Sequence, residues 1–202
     1  MVLDTFGAIR EWFVSTSISE IRDIGDEHSA IAATTVRLAC ERAEAHDLER
    51  LQELARALVL ARTPEVRASA DSRFHVELAV SAQSPRLANA EIRLQEESVL
   101  HLWAPLGGEP DPETATAEHL ELVRAVAQDQ PERAQKLELE HIRRNIFHLI
   151  DTRLTLSYAQ STQEPNETGH RCAGRACPRQ TTCTRTSVPR GCATKPFEDR
   201  MR

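Results

Sequence analysis

Between residues 28 and 158 the apolar positions return every three or four residues, the repeat that lines one face of a helix. Ile31, Val36, Leu38 and Cys40 stand among alanines over residues 28–44. Asp47-Leu48 opens a second helix, carrying Leu48, Leu51, Leu54, Ala55 and Leu58. Thr63-Pro64-Glu65 is a break with proline near a helix start, and it predicts a third helix to about Ser81 around Phe74, Leu78 and Val80. Ser84-Pro85 ends that helix and a fourth follows over 86–104, with Ile92, Leu94, Val99, Leu100 and Trp103. Pro105 to Pro112, with two glycines, reads as the one clear internal loop. A fifth helix covers 114–128. A sixth starts at Pro131 and runs to about Tyr158 with the stripe Leu137, Ile142, Ile146, Leu149 and Ile150. The expectation is an all-α antiparallel bundle with short connections.

Glycine placement sharpens this picture. No glycine lies between Gly25 and Gly107, or between Gly108 and Gly169, so the turns an α/β sheet needs are missing from long stretches rich in Ala, Leu, Glu and Arg. The phosphate-cradling GxGxxG and GxxxxGK[ST] patterns and the nucleophile pattern GxSxG are absent. No apolar run approaches the ~18 residues that span a bilayer, and Met1 to Gly7 shows no secretory pattern, so a cytoplasmic protein is expected.

Charge divides the 202-residue chain. Its 25 basic and 31 acidic residues give −6. Residues 157–202 hold eight of the basic and four of the acidic ones, leaving 17 and 27 in residues 1–156. The acidic body argues against a DNA-reading face. The tail is rich in Thr, Pro and Arg, lacks apolar periodicity and is expected to be disordered. It carries Cys172, Cys177, Cys183 and Cys192, whose gaps fit paired zinc-ligand spacing poorly even with His170 added. Cys40, inside an apolar helix, reads as a small core residue.

The candidate chemistry is a set of four side chains. Asp71 and His75 are four apart on the third helix, hence on one face. His119 and His141 sit inside the fifth and sixth helices, 22 residues apart across a short turn. Bundle proteins build internal metal sites from such a pair plus imidazoles of neighbouring helices. Three imidazoles and a carboxylate suit a divalent transition ion, zinc or nickel first. A solvated i,i+4 pair with two polar-face histidines is the other reading of the same spacing. His148, seven residues beyond His141, is a spare polar residue or a partner behind the ligands, and His101 a bundle-edge histidine. No nucleophile stands beside a base in a recognisable context, so no catalytic residue is assigned.

Several strings resemble the C-terminal effector (FCD) domain of the FadR branch of GntR transcription regulators. Ala70-Asp71-Ser72-Arg73-Phe74-His75 resembles the family's D-x-x-F-H helix, and Glu118-His119 with Val123, Ala125 and Val126 resembles its E-H helix. Ala134 followed by His141-Ile142 is similar to the closing A-x(6)-H-(I/L) helix. Leu38-Ala39-Cys40-Glu41-Arg42-Ala43 with Asp47-Leu48 resembles the opening, and Leu3-Asp4 with Trp12 the linker after the winged helix-turn-helix. The resemblance implies six or seven helices, with residues 1–18 as residual linker, 19–156 as the ligand-binding bundle and 157–202 as tail. It also implies Asp71, His75, His119 and His141 as metal ligands, a small organic acid effector and a homodimer. DNA would be bound only through a winged helix-turn-helix that residues 1–18 are too short to hold. His28 stands where the family often has an effector-reaching arginine, and Ser84-Pro85 replaces its N-P. A metal-dependent hydrolase-like enzyme on the same four residues, or a metal-free helical interaction module, are the competing expectations.

Overall fold

The computed structural model describes residues 5–108 and 110–163. They form seven helices, α1 (Thr5–Ser15), α2 (Ile18–Arg42), α3 (Ala45–Leu60), α4 (Pro64–Ser81), α5 (Pro85–Leu102), α6 (Pro112–Ala127) and α7 (Pro131–Gln163). No strand occurs among the described residues, as the periodicity predicts. Proline opens α4, α5, α6 and α7, where the missing N–H costs no helical bond. Thr63 and Asp111 cap α4 and α6 through their side-chain oxygens. No described helix is long and apolar enough to cross a membrane. The four tail cysteines and His170 lie outside the described residues.

Three features differ from the sequence expectation. The segment read as a linker is helix α1, whose Ile9 and Phe13 are buried in the core. Helix α2 begins ten residues before the expected start at residue 28, at a capping box. The Ser17 side chain accepts from the Glu20 N–H at 3.2 Å, and Glu20 accepts from the Ser17 N–H at 2.7 Å. Gly25 does not interrupt the helix. A Cβ there would stand 2.7 Å from Ile146 Cγ1, so the glycine lets α2 lie close against α7. Helix α7 also outlasts its expected end near Tyr158.

Helices α2 and α7 pack along most of their length, α4 lies against α3 and α5, and α6 against α3 and α7. Helix α5 meets α7 only sparsely. At the far end of α7, the Arg153 guanidinium donates to the Thr16 carbonyl at 3.0 Å and the Val14 carbonyl at 3.3 Å, tying α7 to the α1–α2 joint.

The core is two apolar clusters. One gathers Val36, Leu51, Leu54, Phe74, Leu78, Leu122 and Val126. The other gathers Ile9, Phe13, Ile21, Leu58, Leu102, Trp103 and Leu149. Six helices contribute to both clusters, and all of them but α3 place polar side chains between the two. They are His28 between Ile21 and Val36, and Asp71 and His75 between Ala68 and Leu78. Glu91 and Gln95 precede Leu102, His119 lies between Ala115 and Leu122, and Glu138 and His141 lie between Ala134 and Leu149. All eight side chains are buried. A buried polar layer is costly unless its members find partners.

Candidate metal centre

Helix α4 puts Asp71 and His75 one turn apart, facing α6 and α7. His119 of α6 and His141 of α7 meet them. Each of the four residues offers a donor atom, and these atoms all lie within 4.8 Å of one another. The His75, His119 and His141 rings are 4.9–5.2 Å apart between centroids. Asp71 Oδ1 is 3.5 Å from His119 Nε2 and 3.8 Å from His75 Nε2. Neither distance is a hydrogen bond. Asp71 Oδ1 and both His119 ring nitrogens are buried without a hydrogen-bond partner.

Around this cluster each element is fixed by an outer partner. Trp103 Nε1 donates to Asp71 Oδ2 at 3.0 Å, which leaves Oδ1 aimed at the imidazoles. Glu138 Oε1 is 3.3 Å from His75 Nδ1, so Nε2 is the nitrogen turned to Asp71. Glu118 Oε2 is 2.8 Å from His141 Nδ1, and Arg144 pairs with the other Glu118 oxygen. Asn145, one turn on, has its amide nitrogen 3.0 Å from His141 Nε2. The His119 ring lies stacked on Phe74, 3.9 Å between centroids. A carboxylate thus stands behind two of the imidazoles, within hydrogen-bond distance of His141 and in ion-pair range of His75, where the partners of metal-bound histidines stand.

Electrostatics follow from this packing. Burial pushes His119 well below its ordinary value, and the nearby His141 and His75 rings push the same way, so it stands as a neutral imidazole. Burial also works to lower His75, but the Glu138 carboxylate, helped by Asp71 and Glu91, outweighs it and raises the ring to about 9. Burial would raise Glu138, and His75 holds it below the usual carboxylate range instead. Glu91, pushed up by burial but hydrogen-bonded by His28, falls to about 2.

The donor set fits a divalent transition ion. Three imidazoles and one carboxylate converge, and two of the inward atoms, Asp71 Oδ1 and His119 Nε2, lack any other partner. Ligands at ~2.0–2.1 Å from one centre stand about 4 Å apart when opposite, so small side-chain movements close the cluster on one ion. An outer cleft of about 250 Å³ rimmed by Asp111, Glu118, Arg144 and His148 reaches His141 from solvent. On the other side a cavity lined by His28, Asp71, His75, Gln95, Ser98 and Asn145 keeps only about 20 Å³ of free space.

The structure brings together all four residues singled out by spacing. It does not bring His148 to them, because that half-buried ring bonds to the Gly108 backbone. His101 stacks on Trp12 at 4.0 Å, at the bundle edge. Cys40 packs partly buried against the core as a free thiol. Sequence reasoning missed Trp103, Glu91 and Glu138. A signal existed for Glu138, since Ala134, Glu138, His141, Asn145 and Leu149 share one face of α7 at helical spacing.

The FCD domain family matches residues 23–144, and the chain belongs to it. That is a family of transcription regulators rather than of enzymes. Over 155 residues the chain is 84% identical to a protein of Mycobacterium gastri named as an HTH-type transcriptional regulator, RmpR. The match takes in 76% of this chain and 57% of that relative, so the chain spans little more than half the relative's length.

Proposed function

We propose that this chain is the metal-dependent sensing and dimerisation part of a FadR/GntR-type transcription regulator, acting in the cytoplasm. Asp71, His75, His119 and His141 hold a divalent transition ion, zinc or nickel. A small organic acid completes its coordination. DNA binding belongs to a helix-turn-helix part such as the relative's name describes, and a homodimer presents two such parts to the operator.

The observation that carries this reading is the convergence of four buried donors, two of whose inward atoms have no partner within the protein. When bound, the ion would supply a Lewis-acidic centre that accepts a carboxylate oxygen. Trp103, Glu138 and Glu118 orient the ligands toward it. The free space on the cavity side is far below the ~300–1,000 Å³ of typical ligand pockets. Effector entry therefore has to part the walls, among which the α5–α7 contact is sparse. Movement of α5 against α7 is then the signal that reaches the dimer.

Metal analysis of purified protein beside His75→Ala tests the reading. Stoichiometric metal in the natural chain and little in the variant is the expected result. Equal metal content in both removes the site.

A further inference from the structure

On the metal reading above, an ion needs a way to four donors that are all buried. Three spaces touch them. The cavity lined by His28, Asp71 and His75 is backed by Glu91, whose Oε1 accepts from Gln95 at 2.7 Å and lies 3.1 Å from His28 Nε2. Opening that wall breaks a buried polar network and strands its charges. On the α6–α7 side a pocket of about 30 Å³ is lined by Glu118, His119, Glu138, His141 and Arg144. The outer cleft of about 250 Å³ is also lined by Glu118, His141 and Arg144. These three side chains therefore stand between the cleft and the donors.

That partition is easily parted. Glu118 Oε1 pairs with Arg144, and Glu118 Oε2 is 2.8 Å from His141 Nδ1. The Arg144 side chain is 55% exposed and that of Glu118 25%, so water meets both charges when the pair opens. Rotation of one exposed side chain suffices, and the helices stay where they are. The cleft also has the chemistry to receive a cation. Its lining holds the carboxylates of Asp111 and Glu118 against one guanidinium, Arg144, and His148 Nε2 is buried there without a hydrogen bond. Further in, Glu138 is met by His75, and Glu140 by Lys136 at 3.9 Å from outside. Arg144 is thus the positive charge an entering ion has to pass.

We propose that the metal ion enters and leaves between α6 and α7, and that the Glu118–Arg144 pair is the latch on this route. The ion passes from the outer cleft to His141 and His119 when Arg144 swings off Glu118. Arg144 is a positioning residue: it ligates nothing and holds Glu118 across the way. The organic acid and the ion then reach the centre from different sides, the acid through the cavity beside α5 and the ion through the cleft beside α6.

The test is kinetic and uses the full chain. Zinc is mixed in a stopped-flow cell with the chelated protein and followed with an absorbing zinc indicator, and release is followed from the loaded protein into excess chelator. Arg144→Ala should speed both uptake and release by about fivefold, the factor an ion pair at the upper end of the exposed range holds back. Arg144→Lys keeps a cation for Glu118 and should stay near the natural rates. Unchanged rates in Arg144→Ala overturn the latch. So does a rise in only one of the two, since faster uptake alone reports a lost repulsion and faster release alone a weakened site. Equal acceleration in Arg144→Lys overturns it as well. Each of these results leaves the metal centre standing. A natural chain that takes up no zinc overturns the proposed function and the latch with it.

Discussion

His119 should be a residue that costs stability until the ion arrives. Both its ring nitrogens are buried without a hydrogen bond, and the stack on Phe74 is its closest ring contact. Leaving buried polar atoms unpaired costs about 1–3 kcal/mol. The aromatic stack returns about 0.5–1.5 kcal/mol. His119→Leu keeps similar volume and removes the unpaired atoms, so the chelated variant should be more stable than the chelated natural chain by about 1 kcal/mol, the difference of those two terms. For a domain of this size that is a melting temperature higher by about 2–4 °C. With metal the order reverses. At a free zinc concentration 100 times the dissociation constant, the natural chain gains about 2.7 kcal/mol. That moves its melt by about 5–11 °C, and the variant should not move. Calorimetric melts of both proteins, with chelator and with zinc, check the four values. A chelated variant that melts below the chelated natural chain, or one that zinc still stabilises, refutes the reasoning.

Three further outcomes are expected. Glu138→Gln keeps the fold but leaves His75 Nδ1 without its carboxylate, so zinc affinity should fall about 10–100-fold by competition titration; an unchanged affinity shows that Glu138 does not orient the ligand. His75 is raised to about 9, so a proton must leave for the ion to bind, and zinc affinity should climb from pH 6 to about 9. The same raised value means that the His75–Glu138 contribution to the chelated protein is complete below about 6.5 and lost as pH rises through 9. Flat affinity across that range in a buffered titration contradicts both statements. Gly25→Ala should destabilise by about 1–3 kcal/mol through overpacking against Ile146, and Ile146→Ala in the same chain should recover part of the loss in denaturant melts.

The fold was legible because a bundle writes itself in local signals. Prolines 64, 85, 112 and 131 mark four helix starts, and the apolar stripes name the inward faces. What local signals could not supply was the fate of α1. Trp12 and Phe13 pack with His101 and with an apolar cluster drawn from helices far along the chain, which no local signal announces. The start of α2 was written in Ser17 and Glu20, but Gly25 reads as a break until its neighbour Ile146 is known. The four donors were visible because histidine and aspartate stand out against apolar stripes. Glu138 and Glu91 were not, because glutamate is common on helix surfaces and its burial depends on which imidazole another helix delivers. Trp103 read as a core side chain, which it is, and its bond to Asp71 is set by the turn after α5.

Helix α7 is an unbroken rod of 33 residues. His141 reaches the donor cluster from about a third of the way along it, and Arg153, about 18 Å further at 1.5 Å per residue, grips the two carbonyls at the α1–α2 joint. A rod that rolls or slides to carry His141 onto an ion carries Arg153 with it by the same roll or slide. The chemistry at the centre of the bundle and the attitude of its N-terminal helix are thus two ends of one mechanical part, and a change at either is felt at the other as torque.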